Sequence, residues 1–322
     1  MAVYTDITNE ELDALLREYE IGDALSCKGI AEGVENSNFL LHTQTGFYIL
    51  TLYEKRVNKD DLPFFLGLME HLAEEGFVSP TPIATKTGET LTEVAGRPAA
   101  IISFLEGRSV RRPTPDHCAF LGDTLAKMHL AAANFQIERP NTLSVHSWRA
   151  LFNDCLSNPQ DTSIKQSEIS EIEAELSFLE GQWPSNLPTG VIHADLFPDN
   201  IFFLNDQVSG VIDYYFACND FLIYDLAICI NAWCFETDAS FNITKARKML
   251  KAYGKVREIS EAELEALPLL CRGAALRFYL TRLYDWLNQI EGALVKPKNP
   301  AEYLKKIRFL QDVKTVSAYG IE

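Results

Sequence analysis

The sequence predicts an α+β fold in two lobes: a small antiparallel sheet with one main helix, then a larger, mostly helical lobe. Three observations predict it. Up to residue 104, strand-like apolar runs alternate with Gly and Pro turns. A polar, Pro-bounded joint, Arg111-Arg112-Pro113-Thr114-Pro115-Asp116, then changes the texture. Beyond it, apolar residues recur at helical spacing almost to the end, broken once by a strand-rich stretch over 189–212. The lobes are expected to divide as residues 1–104 and 105–322.

Taken in order, 38–42 reads as a strand, Gly46 as its turn and 47–53 as its hairpin partner. Leu62, Phe65, Leu66, Met69, Leu72 and Ala73 recur at helical spacing within 60–75, and Gly76 stops that helix. Pro80-Thr81-Pro82 forces an extended segment, and 90–95 and 98–104 read as two further strands about Gly96. Asp116 is expected to cap the next helix, and helices are expected over 116–133, 147–156, 166–179, 221–232, 243–253, 260–290 and 300–317. Within the break, 189–192, 200–204 and 208–212 read as strands, the last two joined by a turn at Asn205-Asp206. Residues 156–165, rich in Ser, Asn, Pro, Gln and Asp, read as a mobile loop.

Of the 322 residues, 47% are hydrophobic and 23% charged, which is globular composition. The formal charge of −16 argues against a nucleic-acid partner and against adhesion to anionic membranes. Any bound phosphates must therefore be met by local cations. The longest apolar runs, such as 99–105, are too short to span a bilayer. The opening residues carry no secretory pattern, and the seven scattered Cys form no Cys-x-x-Cys, so the expectation is a reduced, cytoplasmic protein.

The chemistry concentrates in His193-Ala194-Asp195-Leu196-Phe197-Pro198-Asp199-Asn200 and in Asp213. An acid five residues before an Asn, with a second acid at a strand end, suits phosphoryl transfer. Asp195 is expected to take the proton of a hydroxyl. A two-residue turn would set Asn200 and Asp213 side by side, where both can face one magnesium. His193 is expected to hold the loop rather than to act as acid or base.

These residues resemble the phosphotransferase family that includes aminoglycoside and choline kinases, whose fold is protein-kinase-like. The resemblance extends to Asp225-Leu226-Ala227 and to 33–39, 46–54, 226–234 and 275–283, so it covers nearly the whole chain. It implies ATP as cofactor, Asp195 as catalytic base, Asn200 and Asp213 as magnesium ligands, and Asp225 as a buried brace of the catalytic loop. The branch it most resembles phosphorylates the hydroxyl of L-homoserine. A kinase of an amino alcohol or aminoglycoside, or a nucleotide-binding protein without turnover, are the alternatives.

Within that resemblance, Gly33, Asn36 and Ser37 are expected near phosphate, although 29–38 is no full Gly-x-Gly-x-x-Gly loop. The usual kinase Lys position falls on or near Thr51, which leaves Glu70 without its customary partner; Lys28, Lys55 and Arg56 are the nearby cations. Ser103, Phe104 and Leu105 are the expected adenine-binding connector. Arg277, on an apolar helix, is expected to meet a substrate carboxylate unless it or Arg282 pairs with a surface acid. Asp220 or Asp225 is expected to meet the substrate ammonium. The residues after Asp213, Tyr214-Tyr215, and the short route to Asp225 exclude a long activation loop.

Overall fold

The computed structural model describes residues 5–30, 36–54, 57–157, 164–289 and 297–321. The order is α1 (Asn9–Leu16), β1 (Ala24–Gly29), β2 (Ser37–Thr43), β3 (Gly46–Leu52), α2 (Leu62–Glu74), β4 (Thr92–Val94), β5 (Arg97–Ser103), α3 (Pro115–Ala131), α4 (Val145–Leu156) and α5 (Gln166–Gln182). Then come β6 (Thr189–Ile192), β7 (Ile201–Leu204), β8 (Gln207–Val211), β9 (Cys218–Phe221), α6 (Leu222–Trp233), α7 (Ile243–Val256), α8 (Glu261–Leu287) and α9 (Ala301–Asp312). The expected α+β, protein-kinase-like architecture is present.

The five-stranded antiparallel sheet runs β1-β2-β3-β5-β4. Because side chains alternate along a strand, it buries two faces. Phe39, Leu41, Leu50, Leu52, Ala99 and Ile101 pack with Leu12, Leu15 and Leu16 of α1. Tyr53 and Ala100 instead join the core that α2 shares with the helical part of the chain. Two elements here were not expected. Helix α1 starts at a capping box, with the Thr8 hydroxyl accepting from the Glu11 amide and Glu11 reaching back to Thr8. Strand β1 is short, polar and paired to β2.

In the helical part, β7 and β8 pair across Asn205 and Asp206, both with positive φ (50° and 58°), the backbone that a two-residue hairpin turn requires. Strand β9, also not expected, pairs with β6. Helices α3 and α7 meet closely at Gly122, where any Cβ would run into the Met249 carbonyl. The helix expected over 300–317 stops at Asp312, followed by a 3₁₀ turn over Val316–Tyr319. All seven Cys are unpaired thiols, six of them buried. Among the described residues no helix is long and apolar enough to cross a membrane. The loop expected to be mobile lies largely outside the described residues.

Candidate active site

Asp195 sits on the loop between β6 and the β7–β8 hairpin, and many backbone polar groups of that loop are held by side chains from other elements. Asp225, fully buried in the first turn of α6, accepts from the amides of His193 (2.7 Å) and Ala194 (3.0 Å). Its Oδ2 also accepts from His129 Nε2 at 3.2 Å, and His129 is held in turn by Tyr253. Arg277 Nη1 donates to the Ala194 carbonyl at 2.5 Å. Trp233 Nε1 donates to the Leu196 carbonyl at 2.8 Å. His193 donates from Nε2 to the Ile212 carbonyl (3.0 Å), and its Nδ1 accepts from the Asp195 amide (3.3 Å). That pairing fixes one neutral tautomer and ties the loop to the residue before Asp213. Burial, working against Asp225, lowers the His193 pKa, in line with a holding role.

Asn200 Nδ2 donates to the Asp195 backbone carbonyl at 2.8 Å and lies 3.4 Å from its Oδ2. The Ile212 amide donates to the Asn200 carbonyl, and Ile201 pairs with Val211, so the two strand ends bring Asn200 and Asp213 together as expected. Two non-glycine residues here take the left-handed backbone: Ala194 (φ 62°) and Asp213 (φ 68°). Such conformations cost about 1–3 kcal/mol each and persist only where the surroundings enforce them.

The acids repel one another. Burial raises the Asp195 pKa well above the ordinary carboxylate range; Arg277 opposes the rise, while Asp213 and Asp199 add to it. Crowding by protein and the charge of Asp199 push Asp213 up to about 6, although its outer edge stays open to water, which screens the effect. Asp199 and Lys298, paired at 3.7 Å, were not expected at the site. A carboxylate and an amide oxygen on neighbouring strand ends, under this surplus of negative charge, fit a hard divalent cation. Among the described residues no three His, Cys, Asp or Glu side chains form a closed metal cage.

The expected nucleotide residues are more dispersed. Ser103 ends β5, its hydroxyl accepting from the Thr81 amide at 2.9 Å. Phe104 is 42% exposed, near Phe47. The Leu105 side chain lies over Gly210 of β8, and Arg108 bridges to Phe203 of β7, so the connector clamps the catalytic hairpin to the sheet. Asn36 and Ser37 engage Glu54 instead. The Ser37 hydroxyl donates to Glu54 at 2.7 Å and Asn36 Oδ1 accepts from the Glu54 amide, while Arg97 pairs with the other Glu54 oxygen. Thr51 is buried and donates to Asn38. Lys28 is exposed on β1, and Glu70 has no ion pair among the described residues. Gly33, Lys55 and Arg56 lie outside the described residues.

A cavity of about 330 Å³ opens beside the loop, lined by Asn58, Asp61 and Phe65 on one side and by Arg139, Asn141, Tyr215 and Arg277 on the other. Arg277 is buried and lines this cavity. Asp220 stands one step behind: Asn141 donates to its Oδ2 (2.6 Å) and the Phe221 amide to its Oδ1 (2.7 Å). Arg282 is the surface-acid case, pairing with Glu302 at 2.7 Å rather than facing the cleft. Arg139 and Asp61 were not anticipated; they belong to a loop and a helix start that carry no motif.

Known proteins bear on this geometry. The phosphotransferase enzyme family profile matches residues 26–259. Solved structures with the same fold include an aminopropanol kinase (TM-score 0.71, 17% identity, 96% of this chain and 98% of that one) and an amicoumacin kinase in complex with AMP-PNP and Ca²⁺ (TM-score 0.70, 16% identity, 94% and 92%). Far nearer in sequence are the homoserine kinases of Rhodopseudomonas palustris (60% identity, 100% of this chain and 98% of the relative) and Bradyrhizobium diazoefficiens (61%, 100% and 98%). With that identity along its whole length, the chain belongs to the phosphotransferase enzyme family, among its homoserine kinases.

Proposed function

We propose that the protein transfers the γ-phosphoryl group of ATP to the side-chain hydroxyl of L-homoserine. The observation that carries this is the cluster of Asp195 and Asn200, on a loop held by Asp225, with Asp213 at the neighbouring strand end, in a chain 60% identical to homoserine kinases over its whole length. Asp195 takes the hydroxyl proton as the acceptor oxygen attacks. Its main contribution is its position beside the acceptor hydroxyl rather than a shifted pKa. Asn200 Oδ1 and Asp213 would hold magnesium, which supplies positive charge against the phosphate oxygens. Most of the catalytic gain then rests on positioning and charge.

We assign the nucleotide to residues 1–104, with its base at the 103–105 connector, and the acceptor to 105–322. Seven unpaired thiols suit a reducing, cytoplasmic setting.

The test is steady-state ADP release with L-homoserine, choline, ethanolamine and an aminoglycoside, on the parent and on Asp195→Ala. Homoserine should stand well above the others, and Asp195→Ala should lower turnover by about 10²–10⁴-fold with nucleotide affinity kept. Preference for an amino alcohol would move the protein to a sister activity. Release of ADP with none of them would make it a nucleotide-binding protein only.

A further inference from the structure

The interlobe cavity carries charged groups that phosphoryl transfer does not use. Resting on the activity proposed above, we propose that this cavity is the acceptor pocket, with Arg277 capturing the α-carboxylate of the amino acid and Asp61 its α-ammonium.

The Arg277 case starts from its hydrogen bonds. The side chain is 2% exposed, yet its Nε has no partner, while Nη1 is spent on the Ala194 carbonyl. A buried guanidinium with an orphan N–H is costly unless something arrives to accept from it. The cavity it lines is the route by which an acceptor reaches it. Extended homoserine places its hydroxyl about 5 Å from its carboxylate carbon, four bonds of roughly 1.5 Å along a zigzag. Arg277 is bonded to the residue adjoining Asp195, so a carboxylate on the guanidinium brings the hydroxyl to the base.

Asp61 gives an independent sign. It stands at the N-cap of α2, where a carboxylate ordinarily accepts from its own helix amides, but it makes no such bond. Its Oδ2 is held instead by Arg139 Nε at 2.7 Å, across from the other lobe. Arg139 is itself fixed by the Ala217 carbonyl and by stacking over Phe65. Among the described residues nothing engages Asp61 Oδ1, which leaves an oriented acceptor at the cavity wall.

The pair also sets specificity. An amino alcohol brings a cation and no carboxylate, so it would leave Arg277 Nε without an acceptor and set a second cation near the guanidinium. A zwitterion satisfies both walls.

The experiment measures kcat/KM for L-homoserine, 3-aminopropan-1-ol (no carboxylate) and 4-hydroxybutanoate (no amine) on the full-length parent, Arg277→Gln and Asp61→Asn. In Arg277→Gln the preference for homoserine over 3-aminopropan-1-ol should collapse at least about tenfold, with the preference over 4-hydroxybutanoate kept. In Asp61→Asn the pattern should reverse. Arg277→Lys, which keeps the charge but loses the fork, repeats the first arm if Arg277→Gln does not fold. Loss of overall rate with both ratios unchanged in both variants would overturn the pocket assignment alone. A parent that does not phosphorylate homoserine at all would overturn the activity on which it rests.

Discussion

Replacing Asp225 should damage stability and turnover together, and the size of each effect follows from its three hydrogen bonds. The carboxylate takes the His193 amide and His129 Nε2 on Oδ2 and the Ala194 amide on Oδ1, with no exposure to solvent. In Asp225→Asn, the better amide orientation leaves the carbonyl oxygen with the first two donors and turns its NH₂ against the Ala194 N–H. One buried donor pair is then unsatisfied, worth about 1–3 kcal/mol. Asp225→Ala strands all three donors and opens a cavity, for a loss of about 3–5 kcal/mol. Burial alone would raise the Asp225 pKa, but the hydrogen bond and charge of His129, with the His193 amide bond, outweigh it and hold it below the ordinary value. A depressed folded-state pKa gives stability that is present above the unfolded value, near pH 4, and is lost as the pH falls. The Asn variant should lack that acid limb. Catalysis suffers because the same oxygens place the loop, and a shift of about 1 Å at Asp195 can cost on the order of 10²-fold. Urea unfolding at several pH values and kcat with saturating ATP are the assays. An Asp225→Ala protein as stable as the parent, or Asp225→Asn with full kcat, would show that the brace does not hold the loop.

Three further outcomes are expected. Chelation with EDTA should stop ADP release, and Asp213→Asn should raise the magnesium needed for half-maximal rate by at least about tenfold; an unchanged titration removes Asp213 from the metal. Glu302, held down to about 2 despite its burial by Lys306 (2.9 Å) and Arg282 (2.7 Å), should stabilise the fold above pH 4.5 and lose that contribution as the pH falls towards 2. Its side chain is half exposed, so solvent screening cuts the effect to about 1 kcal/mol, measurable as a Glu302→Gln difference at pH 7 that vanishes in acid. Gly122→Ala should destabilise by about 1–3 kcal/mol although alanine favours helix, because the Cβ meets the rigid Met249 backbone; a rise in Tm would contradict the close packing of α3 on α7.

How far the sequence could be read depended on whether a residue's role is set by its chain neighbours or by contacts across the fold. Asp195, Asn200 and Asp213 were legible because a short loop and a two-residue turn link them, and local geometry carries them together. His193 and Asp225 were legible as supports for the same reason: one lies in the loop, the other at the start of the next helix. Helix α1 has a local mark too, the capping box of Thr8 and Glu11, but the run behind it is short and makes a weak helix by itself. Strands β1 and β9 carry weak patterns, since each is short and partly polar and forms because a partner strand is present. Ser37 reads as a phosphate contact from its chain neighbours alone, but its hydroxyl donates to Glu54, two residues past the end of β3, which pairs with β2. The pocket was out of reach for a stronger reason. Asp61 and Arg139 are 78 residues apart, on different lobes, and neither stands in a motif. Their pairing becomes visible only when α2 is laid against the helical core and Phe65 is placed under the guanidinium. If the proposed roles hold, the reaction is written in a stretch whose residues are close in the chain, whereas the choice of acceptor is written in contacts between lobes, such as that of Asp61 with Arg139, which no local pattern marks.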